Sequence, residues 1–125
     1  MLTIAPSTRI YLVTGVTDMR KSFDSLAAIV SGMLDEDPYS GHLWVFCNRT
    51  RNRLKVLVWD RSGFLLLAKR LEKGTFYWPD STETTIDMTP EELTMLIGGI
   101  DLREAKRRRW YSRPEASKRK TLVSS

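Results

Sequence analysis

The sequence predicts an α+β domain, a mostly antiparallel sheet built on a meander and packed by two helices, followed by a basic tail. Three observations carry that reading. Residues 42–47, 54–59 and 64–71 are strand-like runs separated by polar turn segments. Residues 20–34 and 90–98 repeat apolar side chains at three- and four-residue spacing. The charge is also lopsided: residues 103–120 hold nine basic side chains against Glu104 and Glu115, a net +7 in a chain of +5. Residues 1–102 therefore carry about −2, and the basicity belongs to the tail. We divide the chain into one domain, 1–102, and a basic C-terminal tail, 103–125, expected to be flexible.

The elements follow in order. Residues 9–13 are β-branched and aromatic and end at Thr14-Gly15, a short first strand. A helix follows over 20–34, with Thr17 or Asp18 as its cap and Phe23, Leu26, Ala27, Val30, Met33 and Leu34 as its buried stripe. Pro38 stops it, because proline disfavours helix at the residue before it. In the meander, residues 48–52 form one polar turn. Residues 60–63 form the other, with Asp60 opening a type I turn and Gly63 closing it at positive φ. Along the middle run Leu54, Val56 and Val58 share one face, and Lys55, Leu57 and Trp59 the other. Residues 75–78 read as a further short strand stopped by Pro79, and residues 80–85 as a loop. Thr89, Pro90 and Glu92 have the spacing of a capping box with proline at the first helical position. Leu93, Leu96 and Ile97 supply that helix's stripe, and Gly98-Gly99 end it.

Composition excludes several classes. One cysteine, Cys47, allows no intrachain disulfide, and no Cys/His cluster has the ligand count of a zinc site, so no cofactor or metal is expected. There is no signal-peptide pattern and no run of about 20 apolar residues, which points to a cytoplasmic protein without a membrane segment. His42, the single histidine, begins a strand and reads as structural. Asp18 with Asp60, or Asp87 with Glu92, are the acid pairs a metal-dependent nuclease would need. Asp60 is better explained by its turn and Glu92 by its capping box.

The order of motifs resembles a known family. Residues 16–27, VTDMRKSFDSLA, are similar to the opening signature of the small accessory protein, TnpB or second-open-reading-frame type, of insertion sequences in the IS sixty-six group. Residues 38–47 (PYSGHLWVFC), 53–79 and 89–101 (TPEELTMLIGGID) continue the resemblance in order, over roughly residues 4–102. It implies an accessory role beside the larger transposase of the same element, and supplies no catalytic residues. The RNA-guided nucleases that share the name TnpB are unrelated and several times longer.

Two basic clusters point to DNA as the partner. In the meander, Arg49, Arg51, Arg53 and Lys55 have no acid between them. In the tail, Lys106, Arg107, Arg108 and Arg109 precede Trp110 and Tyr111, and Lys118, Arg119 and Lys120 follow. Basic side chains neutralise phosphates, and Trp110 would stack on exposed bases. Lys55 with Trp59 suggests a mixed cationic and aromatic binding face. Arg20 and Lys21 stand near a helix start, where cations oppose the dipole, which hints at a task beyond stability. The expected function is accessory to DNA transposition without enzymatic activity, holding DNA while another surface meets the transposase. The alternatives are a transposase scaffold that touches no DNA and, behind it, the nuclease.

Overall fold

The computed structural model describes residues 5–99. They form β1 (Ile10–Val16), α1 (Phe23–Ser31), β2 (Leu43–Cys47), β3 (Arg53–Asp60), β4 (Gly63–Arg70), β5 (Thr85–Met88) and α2 (Pro90–Ile97). The five strands make one mixed sheet in the order β4-β3-β2-β1-β5. Three of its pairings are antiparallel, and β1 with β2 is parallel, joined by the crossover that contains α1.

Alternation along each strand builds two cores. Ile10, Leu12, Leu43, Val45, Leu54, Val56 and Val58 face one way, where Phe76, Trp78, Leu93 and Leu96 cover them. Val13, Trp44, Phe46 and Leu57 face the other way, under Leu26, Ala27 and Val30 of α1. Strand β2 is therefore buried on both faces, which explains its unbroken apolar run LWVFC.

Local chemistry corrects several expectations. Helix α1 begins at Phe23, after Ser22, whose amide donates to the Ser25 hydroxyl at 2.9 Å. Thr17 and Asp18 do not cap it. The Thr17 amide donates to Cys47 O at 2.8 Å, extending the contact between β1 and β2, and the Asp18 carboxylate accepts from the Arg20 amide at 2.9 Å. The helix stops at Gly32, where a Cβ would meet Ala28 O at 2.9 Å. Phe23 and Met33, expected in the stripe, are 44% and 79% exposed: Met33 lies past the helix end at Gly32, and Phe23 opens the first turn, ahead of the buried Leu26, Ala27 and Val30.

Residues 75–78 do not form a strand. The segment is an anchored strap: Leu71 N donates to Asn52 O, Phe76 N to Arg51 O at 2.6 Å and the Trp78 indole to Val13 O at 3.0 Å. The fifth strand instead comes from 85–88, next to β1, with Ile10 opposite Met88. In the 60–63 turn the left-handed residue is Arg61 (φ 53), not Gly63. The capping box of α2 forms as read, with Thr89 N donating to Glu92 Oε1 at 2.8 Å and Glu92 N to Thr89 Oγ1 at 3.1 Å.

Candidate nucleic-acid interface

The loop between β1 and α1 is folded back on the β2–β3 hairpin. Lys55 holds it there: its ammonium, half-buried on β3, donates to Met19 O at 2.9 Å and Lys21 O at 2.7 Å. Two carbonyls and one cation replace the loop's solvent bonds with charge-assisted ones. Within the loop Asp18 and Arg20 form a fork, with Arg20 Nε donating to Oδ2 at 3.0 Å and Nη2 to the same oxygen at 2.7 Å. The hydrogen bonds from Arg20 and its charge lower the Asp18 carboxyl to about 2.

The hairpin turn is equally organised. Asn48 Oδ1 accepts from the amides of Asn52 and Arg53, both at 3.1 Å, while Asn48 Nδ2 donates to Asn52 Oδ1 at 2.9 Å. Arg51 takes the left-handed conformation (φ 61) in this turn, and its side chain packs inward. Its guanidinium lies 5.5 Å from the Trp78 ring centroid and bonds Asn48 O at 3.4 Å. Burial pushes the neighbouring Cys47 thiol up, and the Arg51 guanidinium pulls it part of the way back.

The four hairpin cations thus separate by role. Arg51 and Lys55 are committed to internal partners, whereas Arg49 and Arg53 are exposed. Arg49, Arg53 and Arg20 line one open concavity of about 640 Å³, together with Val16, Met19 and Thr50. A second, of about 410 Å³, adjoins it through Met19 and Arg53 and is lined by Lys69 and Arg70. Sequence reading missed those two β4 cations. Their signal was the hairpin register, which sets Arg70 opposite Arg53 and Lys69 opposite Leu54.

Lys55 and Trp59 do not make one binding face. They share a side of β3 but stand four residues apart, about 13 Å along the strand. Trp59 instead packs edge-on against Tyr39 and Phe64, at 5.0 and 5.1 Å between centroids. His42 Nδ1 accepts from the Arg9 amide at 2.9 Å, a structural use. Asp18 lies in the loop before α1 and pairs with Arg20, Asp60 ends β3, Asp87 pairs with Arg9 at 3.3 Å, and Glu92 serves its cap. Among the described residues no three His, Cys, Asp or Glu side chains are placed to hold a metal, and no helix is long and apolar enough to cross a membrane. Lys106 to Trp110 and Lys118 to Lys120 lie outside the described residues.

The family described as IS66 Orf2 like protein matches residues 8–107, which takes in the loop, the hairpin and the first basic residues after α2. The chain belongs to this family. It is thus an accessory protein associated with insertion sequences. Two relatives from Sinorhizobium fredii agree along most of their length. The chain is 41% identical to uncharacterized protein y4hO over 82% of this chain and 90% of the relative. It is 37% identical to uncharacterized protein y4jC, over 80% and 86% respectively. No solved structure matches the chain.

Proposed function

We propose that this IS66 Orf2-like protein assists transposition by holding DNA through its phosphates, beside the transposase of the same element. The observation that carries this reading is that Arg49 and Arg53 are exposed on one open concavity, beside the Asp18–Arg20 pair, while Arg51 and Lys55 hold the scaffold beneath them. Guanidinium groups suit phosphate because their planar donors match its oxygens. The tail adds sequence-independent affinity through Lys106, Arg107, Arg108, Arg109, Lys118, Arg119 and Lys120, with Trp110 against bases. Phosphate contacts position DNA and carry no base identity, so choice of the element's ends belongs to the transposase or to DNA shape. No catalytic step is assigned to the chain.

A salt series tests the reading. Replacing Arg49 and Arg53 by Ala should weaken binding to every duplex tested, and deleting residues 103–125 should flatten the slope of log affinity against log salt. With about 0.9 per neutralised phosphate, four to six tail contacts contribute roughly −4 to −5. Unchanged affinity and slope in both variants would transfer support to the scaffold reading. That alternative draws on β4, a sheet edge whose Leu65 and Leu67 are 44% and 50% exposed.

A further inference from the structure

We infer that the concavity between the 17–22 loop and the β2–β3 hairpin receives an unpaired nucleotide, so that the protein engages single-stranded DNA there and not only duplex backbone. This rests on the phosphate-holding reading and gives that site its substrate class. Three features of the concavity go beyond what phosphate alone requires.

The first is its shape. An open concavity of about 640 Å³ is large enough to admit a base that has left the stack, whereas an intact duplex keeps its bases stacked inside and offers it only phosphates. The second is its apolar lining. Val16, at 49% exposure, and the outer edge of Met19, whose other side packs on the α1 core, lie among the arginines, where phosphate gains nothing from them but the face of a base does. The third is Arg20. Its side chain is 91% exposed, yet its guanidinium is held in one orientation by the fork to Asp18. A fixed, exposed guanidinium plane is a stacking surface for a base, leaving Arg49 and Arg53 for the flanking phosphates.

The walls are already in place before any ligand arrives. Lys55 fixes one through Met19 O and Lys21 O, and the Asn48 network fixes the other, including Thr50 Oγ1, which donates to Asn52 Oδ1 at 2.8 Å. A pre-organised site loses little conformational entropy on binding.

The test uses the full chain, with short oligothymidylate and a random-sequence duplex as probes in fluorescence anisotropy at fixed salt. The Val16→Ser variant, which leaves the Met19 packing intact, should bind the single strand about threefold more weakly, equivalent to roughly 0.7 kcal/mol, and the duplex unchanged. Equal losses on both probes, or none on either, overturn the inference. A second measurement needs no substitution: in the parent protein labelled at methionine methyls, the Met19 signal should shift with thymidine monophosphate and stay in place with inorganic phosphate. No shift with the nucleotide, or the same shift with phosphate, also overturns it. Failure of the phosphate-holding reading is distinguishable, because it is read from duplex binding by the Arg49→Ala/Arg53→Ala variant.

Discussion

The Lys55 ammonium donates to the Met19 carbonyl at 2.9 Å across 36 residues of sequence, and this bond, with its companion to Lys21, seats the loop that leads into α1. A residue that looks like part of a DNA-contacting cluster is a structural clamp. Hydrogen bonds to a charged donor contribute about 1.5–3 kcal/mol, and removal leaves two carbonyls to find water. Lys55→Met, which keeps the aliphatic stem, should therefore lower unfolding free energy by about that amount in a denaturant titration. It should also speed amide exchange in residues 17–22. An unchanged midpoint would show that the loop holds its place without the clamp.

Arg51 and Arg49 should separate in the same measurement. Arg51 lies over Trp78 and bonds Asn48 O, so Arg51→Ala removes a cation–π contact of about 0.5–1 kcal/mol together with a turn bond. Arg49 is exposed, and Arg49→Ala should stay within about 0.5 kcal/mol of the parent. Equal effects would contradict the division of the hairpin into inward and outward arginines.

The Asp18–Arg20 fork has a defined pH window. The Asp18 carboxyl titrates at about 2, below its ordinary value of 3.8, because Arg20 hydrogen-bonds to it. Since the folded value is the lower one, the fork's contribution is complete above about 3.8 and is lost as pH falls through about 2. Carboxyl-carbon NMR should give a midpoint near the lower figure in the parent, moving up toward the ordinary value in Arg20→Ala. A parent midpoint near the ordinary value would mean that the fork does not hold in solution.

Cys47 should be inert in the native state. It is buried at the end of β2, and burial raises its thiol pKa more than Arg51 lowers it, so little reactive thiolate forms near neutral pH. A disulfide reagent should label it slowly in buffer and rapidly in denaturant. Fast stoichiometric labelling of the native protein would place the thiol at the surface.

Much of the fold was legible because its signals are short-ranged. The Thr89-Pro90-Glu92 start of α2, the positions of the meander's polar turns and the alternation along β3 each depend on residues a few positions apart, and each formed where expected, although the 60–63 turn places Arg61 and not Gly63 at positive φ. The start of α1 was misplaced because Thr17 and Asp18 have ordinary capping chemistry, and only their commitments to Cys47 and Arg20 remove them from that role. Residues 75–78 have strand-like composition, yet their buried aromatics cover a sheet face instead of extending an edge.

By itself, then, the sequence determined the class of fold, the family and the presence of a cationic hairpin, since composition, periodicity and motif order are properties of the chain as written. Tertiary structure decided which cations are free to meet a partner. The parallel pairing of β1 with β2 brings the 17–22 loop beside the hairpin, and β5 closes the other edge by pairing Met88 with Ile10. Arg49, Arg51, Arg53 and Lys55 are equivalent in a string of letters. They become different when Met19 O, Lys21 O and the Trp78 ring, each far away in sequence, supply low-energy partners for two of them and leave the other two to solvent.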